Sequence, residues 1–126
     1  MQLNQITVPT LDVDRSIEFY KKLGFELIVH THSDYARFLI PDDDTTFSVS
    51  RVEELPKGNG VHVYFEVEDV VASVRELKNK GVEFDVEPEL KTWLWTEAHL
   101  KDPDGNHLII YNAGKNRINP RWRKKN

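Results

Sequence analysis

The sequence predicts an α+β fold built from two βαβββ modules, and three observations carry the prediction. The first is an internal repeat: TLDVDRSIEFYKKLGFEL, residues 10–27, superposes without a gap on VEDVVASVRELKNKGVEF, residues 67–84. Asp12 then falls on Asp69, Ser16 on Ser73, Tyr20 on Leu77 and Gly24 on Gly81. The second is that each copy holds one helical pattern, opened by an aspartate and closed by a glycine, flanked by short alternating runs. The third is the punctuation of those runs by turn-forming clusters, PDDD at 41–44 and DPDGN at 102–106. A solenoid needs about three repeats or more to bury its faces, so two copies point instead to paired modules that share one site.

In the first module a strand is expected over residues 3–9. Asp12 or Asp14 supplies an N-cap for a helix running through about Leu23, because Val13, Ile17, Phe19, Tyr20 and Leu23 recur at helical spacing and Gly24 suits a left-handed stop. Strands are expected next at 26–32, 35–40 and 46–51. The segment EELPKGNG at 53–60 is the linker. The second module repeats the plan with a strand at 61–67, a helix at 70–80 ended by Gly81, and strands near 83–87, 92–101 and 107–112. DPDGN joins the last two as a hairpin. Residues 1–126 are expected to form one domain, with module 1 ending near residue 52, module 2 covering about 61–114 and a basic tail over 115–126.

At 126 residues and 14.7 kDa the chain has room for one ordinary domain, and either half alone is too small to bury a sufficient core. It contains no cysteine, which excludes disulfides, thiolate metal sites and a cysteine nucleophile. No apolar run approaches the roughly 20 residues that cross a bilayer, and the start MQLNQITV lacks the basic and apolar stretches of a signal peptide; a cytoplasmic protein without a membrane partner is expected. The net charge of −4 is unevenly divided. From Lys115 onward there are six basic residues and no acidic one, so residues 1–114 carry −10 and repel phosphate backbones. Nucleic acid is therefore not an expected partner, and the tail reads as a solvated or partner-packed terminus.

Strand parity sorts the side chains of the second module. Val63, Phe65 and Val67 must cover a helix, which sends His62, Tyr64 and Glu66 to the opposite face. By the same alternation Leu94, Thr96, Ala98 and Leu100 are expected to pack inward, with Trp93, Trp95, Glu97 and His99 opposite. Leu108 and Ile110 face the helix; His107, Ile109 and Tyr111 do not. On the first strand Ile6 and Val8 are core, and Gln5 and Thr7 join the second face. Tryptophan and tyrosine rings beside histidines and carboxylates make a ligand pocket the simplest reading of that face. A subunit contact is the alternative for Trp93 and Trp95, since large amphipathic rings serve both.

VPTLDVDRSIEFYKKLGFEL, HVYFEVEDV and DPDGNHLIIY, in this order and in repeat register, resemble the vicinal oxygen chelate superfamily, the fold of glyoxalase I, the extradiol dioxygenases and the fosfomycin and bleomycin resistance proteins. The resemblance covers roughly residues 3–112. It implies a curved, half-open mixed sheet with helices on its outer face, and a homodimer that covers the open edges. In metal-using members the first strand of each module supplies histidine or glutamine and the last supplies glutamate to divalent zinc, nickel, iron or manganese. By that resemblance Gln5 and His62 stand at ligand positions. Ile109, however, stands where the second-module glutamate is expected, and residues 46–51 contain no acid. The implied result is a chain without the standard metal site. A displaced metal set of His62, Glu97 and His99 is the alternative, because Glu-x-His on one strand projects both side chains the same way, roughly 7 Å apart.

Two functions follow from the pocket, and a purely structural or regulatory dimer with a vestigial groove is a third reading. The first is a metal-free, cofactor-free small-molecule-binding protein of the glyoxalase/bleomycin resistance type, holding a cationic or aromatic guest on Gln5, His62, Tyr64, Trp93, Trp95, Glu97, His99, Ile109 and Tyr111. The alternative is a divalent-metal-dependent lyase or dioxygenase working through His62 and other partners. These residues leave open whether the protein is an enzyme, and they do not name the guest.

Overall fold

The computed structural model describes residues 1–125. In chain order its elements are β1 (Gln5–Thr10), α1 (Val13–Lys22), β2 (Glu26–Thr31), β3 (Tyr35–Leu39), β4 (Thr46–Arg51), β5 (His62–Glu66), α2 (Val70–Asn79), β6 (Val86–Leu90), β7 (Thr96–Lys101) and β8 (His107–Asn112), followed by a 3₁₀ turn at Gly114–Asn116. The α+β class and the doubled βαβββ order are those the sequence predicts. The strands hydrogen-bond as two four-stranded mixed sheets, β1-β4-β3-β2 and β5-β8-β7-β6, neither of them closed. Within each, the first and last strands of the module run parallel and the remaining neighbours antiparallel. The chain divides into two compact units: Met1–Val61 together with Asp102–Asn106, and His62–Lys101 together with the chain from His107 onward.

Both helices are started and stopped by the residues the repeat singles out. Asp12 accepts a hydrogen bond from the Arg15 backbone N–H at 3.2 Å, and Asp69 accepts one from Ala72 at 3.0 Å, each satisfying a donor that the first turn leaves unpaired. Gly24 and Gly81 follow the helices at φ of +93° and +90°, a left-handed conformation that disfavours any side chain.

In the first unit α1 buries Val13, Ser16, Ile17 and Tyr20. The Tyr20 ring forms the centre of an aromatic core, 4.8 Å from Phe47 and 5.6 Å from both Phe25 and Phe38. Its hydroxyl donates to Asp102 Oδ2 at 2.7 Å. That buried carboxylate also accepts from the backbone N–H groups of Asp104 and Asn106 and from Asn106 Nδ2, so its charge is well solvated by donors. Two residues on, Asp104 accepts from Thr10 Oγ1 at 2.6 Å, the Leu11 N–H at 2.9 Å and Arg15 Nη2 at 2.7 Å. Asn106 Nδ2 lies within 2.9 Å of the Pro9 carbonyl. The DPDGN segment thus acts as an anchor for β1 and α1 as well as a turn.

In the second unit Val63, Val70, Val74, Leu77, Val82, Ala98, Leu100, Leu108 and Ile110 form the core on the helix side of the sheet. Two strands differ from expectation by three residues or more at a boundary. The strand placed near 83–87 begins at Val86, and the one placed at 92–101 begins at Thr96. Residues 91–95 form a turn, closed by Leu94 N–H to Lys91 O at 2.9 Å and Lys91 N–H to Trp95 O at 2.8 Å. Leu94, expected to pack inward, instead occupies a left-handed turn position (φ +67°) and is exposed. Pro88 fits inside β6 because β6 is an edge strand whose pairing is interrupted by a bulge between Val86 and Glu89. In the tail, the Arg121 guanidinium lies over the half-exposed Trp122 ring at 5.8 Å.

Candidate functional site

Pairing register gives each unit the same set of positions on the sheet face away from its helix. Gln5 pairs with Thr46 as His62 pairs with His107. The row Thr7, Ser48, Arg37 corresponds to Tyr64, Ile109, His99, and the pair Tyr35 and Ser50 corresponds to Glu97 and Tyr111. The two units fill these positions with different chemistry.

In the second unit they hold a hydrogen-bonded chain. Glu97, only 2% exposed, accepts from Trp93 Nε1 through Oε2 at 2.7 Å, and its Oε1 lies 2.9 Å from His99 Nε2. His99 Nδ1 is 3.3 Å from His107 Nε2, and the His107 ring overlies that of His62 with centroids 4.3 Å apart. A buried carboxylate that fixes one imidazole, which in turn meets a second, is an arrangement able to orient a guest or pass a proton. Burial, then the neighbouring His62, His99 and Lys101 charges, hold the His107 pKa below the ordinary histidine value against the opposing pull of Asp85.

Beside this chain stands an aromatic group. Trp95 stacks on Tyr111 at 4.9 Å with planes 26° apart, and Tyr64 meets both rings edge-on at 5.8 and 5.4 Å. The Trp95 indole N–H donates to the Asn116 carbonyl at 3.2 Å, which ties the ring to the turn after β8. Ile109 is fully buried, with Tyr111, Ala113 and Trp95 forming one apolar cluster around it. Burial raises the pKa of the Tyr64 and Tyr111 hydroxyls, with Glu97 adding to the first and Glu66 to the second, so both stay neutral donors. Glu66 does not stand ready as a base: its Oε2 accepts from the Ala113 and Gly114 N–H groups at 2.8 and 3.3 Å and fixes the strand end.

The first unit fills the equivalent positions with hydroxyls and one cation. Gln5, the single candidate from this unit, accepts from Thr46 Oγ1 at 2.7 Å. Thr7 and Ser48 hydroxyls are 2.7 Å apart, and Arg37 Nε donates to the Tyr35 hydroxyl at 2.9 Å. Structure therefore gathers His62, Tyr64, Trp93, Trp95, Glu97, His99, Ile109 and Tyr111 on the second sheet, and adds His107 to them. Tyr35, Arg37 and Ser48 went unread in the sequence, although the parity of residues 35–40 and 46–51 carried the signal.

The donor set suits a divalent metal poorly. Where the resemblance calls for carboxylates, the second module has the fully buried Ile109 and residues 46–51 of the first contain no acid. Glu97 and His99 spend their polar atoms on Trp93, on each other and on His107. Among the described residues no three histidine, aspartate or glutamate side chains converge as a metal-holding group, and this includes His62, Glu97 and His99.

Comparison with known proteins agrees with this architecture. A family model described as the glyoxalase/bleomycin resistance protein/dioxygenase superfamily matches residues 2–110. The chain is 30% identical over 124 residues to a probable trivalent organoarsenical cleaving enzyme of Bacillus subtilis (strain 168), covering 92% of this chain and 83% of that one. Among solved structures it is similar to a glyoxalase/bleomycin resistance protein/dioxygenase from Nocardioides, with a TM-score of 0.76 and 21% identity over 90% of this chain and 83% of that one. It is also similar to a bleomycin-binding protein complexed with bleomycin, with a TM-score of 0.71 and 23% identity over 89% and 98% of the two chains. The repeat, the paired sheets and the family match lead to one conclusion: the chain belongs to the glyoxalase/bleomycin resistance protein/dioxygenase superfamily.

Proposed function

We propose that the protein is a small-molecule-binding member of its superfamily that works without the standard metal site, and that it does so as a homodimer. The observation that carries the reading is the second-sheet face, where the Tyr64, Trp95 and Tyr111 rings stand beside the buried Glu97 and the histidines it orients. Rings supply stacking surface for a planar or aromatic guest, and the charge of −10 over residues 1–114 favours one that is positively charged. Ile109 supports the same reading, because it replaces an anionic ligand with an apolar floor. The solved bleomycin-binding protein of the same fold offers a precedent for guest binding.

A divalent-metal-dependent enzyme is the second reading, and the name of the Bacillus subtilis relative, a probable trivalent organoarsenical cleaving enzyme, favours an enzyme over a binding protein. Against it, trivalent arsenic is a soft centre that prefers thiolates, and this chain has no cysteine to offer. The two readings separate on purified protein. Binding predicts that a cationic aromatic compound quenches tryptophan fluorescence saturably, that Trp95→Ala weakens it by about fivefold, corresponding to about 1 kcal/mol of lost stacking, and that added nickel, zinc, manganese or iron(II) leaves the melting temperature unchanged. Stoichiometric metal that disappears in His62→Ala, together with turnover of a hemithioacetal or catechol lost in the same variant, would overturn it in favour of the enzyme.

A further inference from the structure

We propose that Asn59, in the linker between the two modules, is a site of spontaneous deamidation, a covalent change that turns it into aspartate and isoaspartate without another enzyme. Asn59 belongs to neither sheet, and the inference does not rest on the guest-binding reading.

An asparagine followed by glycine is able to close a five-membered ring. The Gly60 main-chain nitrogen, once it has lost its proton, attacks the Asn59 side-chain carbonyl carbon. The new N–Cγ bond forms as the Cγ–Nδ2 bond breaks, and the amide nitrogen leaves as ammonia with protons taken from water. A second step opens the resulting succinimide with water. Opening at one carbonyl restores the main chain and leaves aspartate, whereas opening at the other leaves isoaspartate, whose main chain runs through the side chain. One water is consumed and one ammonia released, with no oxidant, reductant or cofactor. Glycine matters because a Cβ on the following residue would crowd the attacking nitrogen. No other asparagine of the sequence precedes a glycine.

The sequence holds a second pair able to form the same ring, Asp104–Gly105, and the structure separates the two. The Asp104 side chain has no exposed surface; its Oδ1 accepts from the Leu11 N–H and Arg15 Nη2, and its Oδ2 from Thr10 Oγ1. A carboxylate held by three donors does not swing toward the main chain. The nucleophile is tied as well, because the Gly105 N–H donates to the Asp102 carbonyl at 3.0 Å. Asn59 is the opposite case. It is exposed, as are Lys57, Gly58, Gly60 and Val61 around it. Among the described residues neither its side-chain amide nor the Gly60 N–H makes a hydrogen bond. A Cβ at Gly58 or Gly60 would meet nothing within 4 Å, so the chain here has open space in which to turn. Nor is the pair locked as a tight hairpin turn, which needs positive φ at both residues; only Gly60 has it, at +67°. Exposed backbone with nothing to hold it reaches the cyclising conformation at low cost. The product adds a negative charge to a stretch, residues 1–114, that already carries −10.

The test follows the full-length protein by mass spectrometry of its peptides, after incubation in the native state and, separately, in guanidinium chloride. In the native state the peptide containing Asn59 should gain one mass unit and split into two chromatographic peaks, about tenfold faster or more than any other asparagine peptide. Its rate should rise with pH, because the attacking nitrogen must first lose its proton, and should stay within a few-fold of the rate in guanidinium chloride. Gly60→Ala, whose methyl group crowds that nitrogen, should slow the reaction by about tenfold. Asn59→Gln has to close a larger ring and should abolish the mass gain over the same interval. The peptide containing Asp104–Gly105 should give a second, mass-neutral peak only in guanidinium chloride. An unchanged Asn59 peptide, a mass gain that begins at another asparagine, or a rate indifferent to pH or to Gly60→Ala would each overturn the proposal. So would a native rate more than about tenfold below the denatured one, or isomerisation at Asp104 as fast in the native protein as in the unfolded chain. Guest quenching plays no part in these readouts, so deamidation and guest binding fail independently.

Discussion

Burial and neighbouring charges act together on the protonation of His107. Partial burial comes first, followed by the His62, His99 and Lys101 charges, and together they favour the neutral imidazole. A histidine held below its unfolded pKa of about 6.5 takes up its proton more readily in the unfolded chain. The stability it contributes is therefore complete above about pH 6.5 and is lost as pH falls from there toward the folded pKa. NMR titration of the ring protons should give His107 a midpoint below that of a free histidine, and His62→Ala should move it upward by removing a like charge and opening the site. An unchanged midpoint in that variant would show that the tilted His62 ring at 4.3 Å has no electrostatic influence.

At the scale of the element, the turn at Asp102–Asn106 concentrates more specific bonding than its five residues would suggest. Tyr20→Phe removes one of the donors to the buried Asp102 carboxylate without changing the volume of the aromatic core. It should destabilise the protein by about 1–2 kcal/mol in urea unfolding. Alkali gives an independent check. Burial, then the Asp102 charge and hydrogen bond, raise the Tyr20 pKa above its ordinary value, so above about pH 10 the unfolded chain gives up this proton while the folded one keeps it. Stability should then fall with rising pH, by up to about 1.4 kcal/mol per pH unit for this group, and the slope should be smaller in Tyr20→Phe.

The elements also mark where sequence reasoning succeeds. Strands β4 and β8 match their expected bounds because turn residues flank alternating runs, and both helices match because an aspartate and a glycine bracket them. The turn at 91–95 was hidden, since Leu94 takes a left-handed conformation without the glycine or asparagine that would announce it. DPDGN was legible as a turn, yet its partners Thr10, Arg15 and Tyr20 lie more than 80 residues away in sequence, beyond any local pattern. The aromatic face was legible through parity and the histidine chain only in part, because the link from His99 to His107 depends on cross-strand register. Arg37 went unread because a lone cation on a strand carries no motif.

At the scale of the whole molecule, each four-stranded sheet ends in open strands, β1 and β2 in one, β5 and β6 in the other. Unpaired edges invite association, and Ile28 on β2 and Leu90 on β6 add exposed apolar surface to them. The homodimer proposed above would cover such edges. Light scattering at micromolar concentration should give twice the 14.7 kDa chain mass, and a monodisperse monomer there would remove the dimer from the account. Among the described residues no helix is long and apolar enough to cross a membrane.

The Asp102–Asn106 turn also has a consequence in time. The two repeats look like units that a ribosome could release one after the other, but Asp102, Asp104 and Asn106 are counted with the first unit. When Val61 leaves the exit tunnel, Thr10, Arg15 and Tyr20 are present without the carboxylates that hold them. At about 5–20 residues per second the intervening stretch takes on the order of several seconds to synthesise. For that interval the N-terminal repeat waits half-built, and its completion is scheduled by the C-terminal one.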